Sequence, residues 1–181
     1  TLLGLSSVIK TYPLDKKLFF DLTYAREFDL ENVPPGNLDG LINYADLTTT
    51  PLNKLVRYIE EINIEEEVMH HISTGYAITG LLRAVPFHLR QHRLYLPSDR
   101  LNKHGLSLSN LAKEENLQVL QDITEDIVNC AGQHLNYPQT GSKYSNMSQQ
   151  TALSYLNKIR KHKFNLFDSR LPQPHFFLPV N

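Results

Sequence analysis

Apolar residues recur at helical spacing along most of the chain. The first stripe contains Leu18, Leu22 and Ala25. Asp15, just before this stripe, is a candidate N-cap because its carboxylate can accept a hydrogen bond from a free helical amide. Side chains three and four residues apart lie on one face of an α-helix, so the stripe predicts an amphipathic helix.

Four further helices are predicted by the same spacing, over residues 38–59, 65–85 and 117–135 and from about Ser148 to about Lys163. Two of them contain or meet a proline. Pro51 is expected to kink or split its helix, and Pro86 to end or bend the next one. Proline has this effect because it lacks an amide hydrogen and clashes with the preceding turn.

Three polar or proline-containing stretches are predicted to be loops, at residues 32–37, 90–105 and 136–147. The final residues, 171–181, are expected to be extended, with their aromatic rings packed on the body of the protein. No strand pattern and no internal repeat is visible in the sequence. The chain is therefore predicted to be all-α.

The composition fits a single domain over residues 1–181. Hydrophobic residues make up 41% of the chain, which is enough to form a core at this length. Cys130 is the only cysteine, so the chain cannot form an internal disulfide, and its apolar neighbours indicate a small buried side chain. No apolar run reaches the roughly 18 residues that a membrane-spanning helix needs.

The net charge of −1 conceals an uneven distribution. Residues 1–70 contain 6 Lys and Arg against 12 Asp and Glu, whereas residues 71–181 contain 12 against 7. This asymmetry can orient partners or anionic surfaces, although solvated faces of different sign are the commoner explanation. No Gly-rich phosphate loop and no aromatic-and-basic stacking surface occurs. Nucleic-acid binding is therefore not expected, and no cofactor is predicted.

The most specific stretch is residues 83–97, which read Arg-Ala-Val-Pro-Phe-His-Leu-Arg-Gln-His-Arg-Leu-Tyr-Leu-Pro. This stretch resembles the second aspartate-rich motif of the squalene/phytoene synthase family, in which Leu-Arg-Asp-x-x-Glu-Asp leads into Gly-Arg-x-Tyr-Leu-Pro. The register holds without a gap, and the match continues at Asp99, Leu101, Gly105 and Leu106. The resemblance implies an isoprenoid-synthase-like helical bundle.

In active members of that family the acidic residues hold Mg²⁺ ions that bind a prenyl diphosphate, and the metal neutralises the leaving group. The three acidic positions are here Ala84, Phe87 and His88, and two polar positions upstream fall on Ala77 and Gly80. None of these side chains offers the oxygen ligands that Mg²⁺ prefers. The resemblance therefore implies a pseudoenzyme with a degenerate second motif and no catalytic residues.

No other metal-binding pattern replaces the missing acids. The first aspartate-rich motif of the family would lie upstream of residues 43–46, and no such paired carboxylates precede them. His88 and His92 are spaced i, i+4 but have no third ligand in the sequence, so no metal site is predicted. The resemblance further implies that the chain is the C-terminal part of the fold, with N-terminal helices missing.

One non-catalytic branch resembles the chain in particular, the mitochondrial respiratory complex I assembly factor 6 group. It shares Leu-Arg-Ala followed by Pro, an aromatic residue and His, which matches residues 82–88, and also the segments at 43–46 and 155–167. This resemblance implies assembly or scaffolding of complex I at the matrix side of the mitochondrial inner membrane. The implied partners are complex I subunits or assembly intermediates, and the chain would be peripheral to the membrane.

Basic residues surround the degenerate motif. Arg83, Arg90, Arg93 and Tyr95 form a candidate site for a phosphate or an anionic lipid head group, because guanidinium groups bind phosphate oxygens in a forked geometry. The alternative is a solvated basic loop in which Arg83 donates to helix ends.

Two alternatives to a scaffold remain open. One is a prenyl-diphosphate synthase whose front half is absent from this sequence, which the missing acids at positions 84, 87 and 88 argue against. The other is a non-catalytic carrier that holds a lipid or an isoprenoid in the inherited cavity.

Overall fold

The computed structural model describes residues 2–171, except the side chain of Leu2. Within this range the chain forms seven α-helices, one short 3₁₀-helix (Glu114–Asn116) and no β-strand. The prediction of an all-α chain is confirmed. The α-helices are α1 (Leu2–Thr11), α2 (Lys16–Glu31), α3 (Leu38–Glu60), α4 (Glu66–Arg90), α5 (Ser98–Lys103), α6 (Leu117–His134) and α7 (Lys143–Lys161).

Helix α4 lies at the centre of the bundle. It packs against α3, α6 and α7, while α2 packs on α3. The apolar stripes of these helices meet in one core, and burial of each large aliphatic side chain contributes about 1.5–3 kcal/mol. Its fully buried members include Leu41, Ile78, Leu82, Leu120, Ile127 and Leu156.

Helix α4 approaches α6 closely at Gly75. A β-carbon built at this position would lie 2.6 Å from Leu135 Cγ and 3.0 Å from the carbonyl oxygen of Ala131. Both distances are shorter than ordinary van der Waals contacts. Glycine therefore lets the two helix backbones pack directly on each other.

Both α3 and α4 continue through their prolines. Pro51 is buried within α3, and α4 continues beyond Pro86 to Arg90. Each proline removes one backbone hydrogen bond, but both helices are held along their length by packed neighbours. Of the effects expected of the prolines, a split at Pro51 and a helix end at Pro86 are therefore wrong, and a kink or a bend stays a prediction.

The final helix begins earlier than predicted. Its N-cap is Ser142 rather than Ser148: the Ser142 hydroxyl accepts a hydrogen bond from the Ser145 amide at 3.0 Å and donates one to Glu60 of α3. The inward side of the first turns is polar, with Ser145, Ser148 and Gln149 buried. A search for apolar spacing therefore misses these turns. At α2, by contrast, the predicted cap is confirmed, because Asp15 accepts from the Lys17 amide at 2.8 Å.

A short helix, α5, lies inside the segment predicted as a loop over residues 90–105. The first residues of α5 form backbone hydrogen bonds with the turn that precedes α3. The Ser98 amide donates to the Pro35 carbonyl at 2.8 Å, and the Asp99 amide donates to the Gly36 carbonyl at 3.0 Å. These contacts hold the segment that follows α4 against the turn between α2 and α3. The predicted packing of the C-terminal aromatic rings lies outside the described residues.

Candidate functional site

The degenerate motif positions lie on the last two turns of α4. Ala84 is buried, and Phe87 and His88 are half-buried. The His88 ring lies 4.7 Å from the Tyr95 ring and 5.9 Å from the Phe87 ring, measured between centroids. An aromatic cluster therefore occupies the end of the helix at which the resemblance implies a replaced carboxylate site.

A half-buried carboxylate adjoins this cluster. Asp29 of α2 accepts hydrogen bonds on Oδ1 from the hydroxyls of Tyr44 (2.7 Å) and Tyr95 (2.9 Å). Its Oδ2 accepts from Arg26 at 3.3 Å. The Tyr44 ring stacks on Tyr95 and contacts Phe28, with both centroid distances 5.3 Å. Three segments far apart in sequence, α2, α3 and the loop after α4, thus meet at one carboxylate.

The protonation states of this group follow from its contacts. Burial alone would raise the pKa of Asp29, but hydrogen bonds from Tyr44 and Tyr95, together with Arg26, outweigh it and lower the pKa below its usual value. Burial and the hydrogen bond to Asp29 raise the pKa of both tyrosines. At neutral pH the cluster therefore holds one carboxylate anion between neutral phenols.

The imidazole of His88 is neutral as well. Burial lowers the pKa of His88, the positive charge of Arg93 lowers it further, and Asp29 opposes both. Its buried Nδ1 has no hydrogen-bond partner among the residues that the structure describes. A neutral, half-buried imidazole suits packing in an aromatic cluster better than binding an anion.

These residues do not fit Mg²⁺. Ala84 and Phe87 carry no donor atom, imidazole is a poor ligand for this hard cation, and both oxygens of Asp29 already accept hydrogen bonds. Within residues 2–171 no group of three or more His, Cys, Asp or Glu side chains is arranged to hold a metal ion. We therefore derive no metal-dependent step at this site.

The face of α4 upstream of the motif is open. Ala77 is half-buried and Gly80 is exposed. A β-carbon added at Gly80 would meet no atom within 4 Å. This stretch of α4 therefore presents backbone and small side chains to its surroundings.

The four residues of the candidate anion site are distributed over separate environments. Arg83 lines a groove of about 380 Å³ with Tyr155 and Lys158 of α7. Tyr95 is buried, and its hydroxyl donates a hydrogen bond to Asp29. Arg90 and Arg93 are exposed at and after the end of α4. The basic groove between α4 and α7 is thus the part of this candidate site that has a defined shape.

His88 and His92 are four residues apart in the sequence, but a helix end lies between them. Helix α4 ends at Arg90, and His92 adopts the left-handed conformation with φ of 54°. The Arg93 amide then donates back to the His88 carbonyl at 2.9 Å, which is the hydrogen bond of a Schellman helix end. His88 and His92 therefore do not share a helix face.

Sequence reasoning missed a histidine cluster that joins three helices. His70 Nδ1 lies 2.8 Å from Asp46 Oδ1, and His71 Nδ1 lies 3.0 Å from His134 Nδ1. The His71 ring also stacks on Tyr137 at 4.6 Å. The two hydrogen-bonded pairs are separated by 24 and 63 residues along the chain, so no local sequence pattern could have revealed them.

Cys130 is half-buried on α6, and burial raises the pKa of its thiol. Desolvation disfavours the thiolate, which is the reactive form of cysteine. None of the described helices is both long enough and apolar enough to cross a bilayer.

The sequence matches a family model described as squalene/phytoene synthase over residues 2–176. Two solved structures share the fold. A squalene synthase HpnC from Alicyclobacillus acidocaldarius has a TM-score of 0.75 at 17% identity and covers 87% of this chain. A dehydrosqualene synthase has a TM-score of 0.74 at 18% identity and covers 94%. The chain covers 64% of each of those structures.

Curated relatives carry the name NADH dehydrogenase (ubiquinone) complex I, assembly factor 6. The proteins of Bos taurus and Homo sapiens are each 26% identical to this chain, over 96% and 95% of its length. A homologue from Dictyostelium discoideum is 26% identical over 97%. The chain spans about half the length of these relatives, namely 55%, 54% and 52%.

Proposed function

The chain belongs to the squalene/phytoene synthase family, and we propose that it is a non-catalytic member that assists the assembly of respiratory complex I by binding protein subunits. One observation carries this proposal: relatives from mammals and from Dictyostelium, similar over at least 95% of this chain, all have the name of a complex I assembly factor. The proposed location is the matrix side of the mitochondrial inner membrane, with this chain peripheral to the bilayer.

The chemistry of the motif helix supports a non-catalytic role. Prenyl transfer in this family depends on metal ions that neutralise a departing diphosphate. Ala84, Phe87 and His88 provide no carboxylate for that purpose, and Asp29 nearby is engaged by two tyrosines and an arginine. This arrangement favours structural support over catalysis.

Exposed apolar side chains support a role in protein binding. Leu3 on α1 is 89% exposed, and Phe20, Tyr24 and Leu30 on α2 are also largely exposed. Phe20 and Tyr24 are one turn apart on one helix, and exposed apolar side chains that lie together are typical of protein-protein contact sites. A complex I subunit or assembly intermediate is the proposed partner.

The basic groove of Arg83 and Lys158 favours a second contact, with an anionic lipid head group. Two cations line the groove together with the hydroxyls of Thr151 and Ser154, and each basic residue near an anionic membrane contributes about 1 kcal/mol to binding. This contact would hold the protein at the membrane surface while protein subunits bind elsewhere. An isoprenoid tail in the inherited cavity has no comparable support.

Complementation tests the proposed function. Cells of the source organism that lack this protein should accumulate incomplete complex I on native gels, and the wild-type protein should restore the full complex with its NADH dehydrogenase activity. Ala84→Ser, which also lacks a carboxylate, should restore it equally. Normal complex I in cells without the protein would overturn the proposal.

An enzymatic assay tests the non-catalytic part separately. The purified protein is incubated with Mg²⁺ and farnesyl or geranylgeranyl diphosphate, and pyrophosphate release is measured. We expect no release above the protein-free blank. Sustained release that disappears on removal of Mg²⁺ would show that the protein is an active prenyl transferase.

A further inference from the structure

A trough runs along the seam between α2 and α3. It consists of two adjoining grooves of about 330 Å³ and about 280 Å³, which share Tyr24, Ala25 and Leu47 as lining residues. Tyr24 and Leu47 are 73% and 44% exposed, so an aromatic and an aliphatic side chain that belong to both grooves are accessible to a partner. Its larger groove is also lined by Phe28 and Tyr44 of the cluster around Asp29, whereas the trough shares no lining residue with the basic groove beside α7.

The charge of the trough is uneven along its length. Glu27 and Glu31 are the charged residues that line the larger groove among the residues described there. They are one turn apart on α2, and no hydrogen bond or ion pair to either is found within the described part of the chain. The last turn of α2 contains no basic residue, so the negative end of the helix dipole adds to the two carboxylates.

The charged residues at the other end of the trough have partners. Lys17 is paired with Asp21 and Lys54 is paired with Glu66. Asp46 contacts His70 at 2.8 Å. The unpaired negative charge of the trough is therefore concentrated at the C-terminal end of α2.

We propose that this trough binds a basic amphipathic helix of a protein partner. The apolar side chains of that helix would pack on Tyr24 and Leu47, and two of its Lys or Arg residues, spaced one turn apart, would pair with Glu27 and Glu31. The identification of the occupant as a protein partner rests on the function proposed above.

The dimensions and the charge select this occupant. Helix α2 has 16 residues and is therefore about 24 Å long, which accommodates three to four turns of a helix lying alongside it. An amphipathic helix in an apolar groove is a common mode of peptide recognition. The two carboxylates repel an anionic lipid surface and an acidic peptide, and they attract a cationic helix.

Peptide binding tests the proposal. A fluorescein-labelled amphipathic helix of Leu and Lys is titrated with the full chain, and fluorescence anisotropy gives its Kd. The double variant Glu27→Gln/Glu31→Gln should raise the Kd about fivefold, because exposed ion pairs contribute modestly to binding. Tyr24→Ser should raise it about tenfold, as expected for a central aromatic contact.

Matched controls separate a specific site from general attraction to an acidic protein. Glu114→Gln/Glu115→Gln makes the same charge change at two exposed residues of the 3₁₀-helix and should leave the Kd within twofold. A peptide with Glu in place of Lys should not bind. Equal weakening by both double variants, or by neither, would overturn the proposal.

A second copy of the chain is the other occupant to test. Light scattering should show a monomer whose mass is unchanged by Glu27→Gln/Glu31→Gln. A dimer that this variant dissociates would assign the trough to self-association and overturn the proposal.

Failure of this inference is distinguishable from failure of the proposed function. Full complementation by Glu27→Gln/Glu31→Gln, despite lost peptide binding, would overturn the trough as the functional docking site and leave the assembly role intact. If the wild-type protein itself fails to support complex I assembly, the proposed function is wrong whatever the peptide binds.

Discussion

Replacing Gly75 with alanine tests the central packing of the bundle. Glycine lies there because α4 approaches α6 closely, with Leu135 Cγ 2.6 Å and the Ala131 carbonyl oxygen 3.0 Å from the position that a β-carbon would take. Leu135 can adjust its rotamer, but the Ala131 oxygen belongs to the backbone of α6. The helices must therefore move apart to admit the methyl group.

The expected magnitude follows from two opposing effects. Alanine stabilises a helix interior by about 1 kcal/mol relative to glycine, whereas overpacking a core contact costs about 1–3 kcal/mol. Gly75→Ala should thus lower the free energy of unfolding by about 1 kcal/mol. Gly80→Ala in the same helix meets no neighbouring atom within 4 Å and should raise it by about 0.5–1 kcal/mol.

Urea unfolding followed by far-ultraviolet circular dichroism measures both values, since the chain contains no tryptophan for fluorescence. The two variants should differ by about 2 kcal/mol, which corresponds to a difference in Tm of about 4–8 °C for a protein of this size. If the Gly75→Ala variant is as stable as the Gly80→Ala variant, the inference that α4 and α6 are in direct contact at Gly75 is wrong.

Three further predictions concern half-buried groups that can titrate. Burial and the neighbouring histidines lower the pKa of both His71 and His134, so the unfolded chain takes up protons first as pH falls. Stability should therefore decrease below about pH 6.5, and His134→Gln should flatten this dependence in urea titrations at several pH values. Asp29→Ala leaves two tyrosine hydroxyls without their acceptor and should lower the free energy of unfolding by about 2–3 kcal/mol, against about 1 kcal/mol for Tyr95→Phe, by urea titration. Because burial raises the pKa of the Cys130 thiol, iodoacetamide should alkylate it more slowly than a peptide thiol, and urea should remove the difference, as followed by mass spectrometry.

Each of these three predictions would be contradicted by one specific result. Stability that stays constant down to pH 5 would contradict neutral histidines in the cluster. Equal effects of Asp29→Ala and Tyr95→Phe would contradict a carboxylate shared by two phenols. Alkylation of Cys130 at the rate of a free thiol would contradict its burial.

Local chemistry made several elements predictable. Leu18, Leu22 and Ala25 marked α2 and Asp15 its cap, because both signals depend only on residues within one or two turns. The stripe over residues 117–135 likewise identified α6. The motif at residues 83–97 was sufficient to predict the family, because the identity and the spacing of its residues can be read directly from the sequence.

Whether a helix continues past its proline depends on packing against residues that are distant in the sequence, and a local sequence pattern does not include them. Pro51 and Pro86 remain inside helices because packing on other helices outweighs one lost hydrogen bond. Ser142 serves as a cap in contact with Glu60, which lies in another helix. Local propensity gives the wrong boundary wherever such tertiary contacts decide it.

In the candidate site, too, some features follow from the sequence and others only from tertiary contacts. The sequence by itself determined which side chains stand at positions 84, 87 and 88, and hence that they offer Mg²⁺ no oxygen. Only the tertiary structure brought Asp29 to Tyr44 and Tyr95, and His71 to His134. The physical reason is that ligand chemistry belongs to each residue, whereas a hydrogen bond between residues far apart in the chain forms only after helix packing has brought them together.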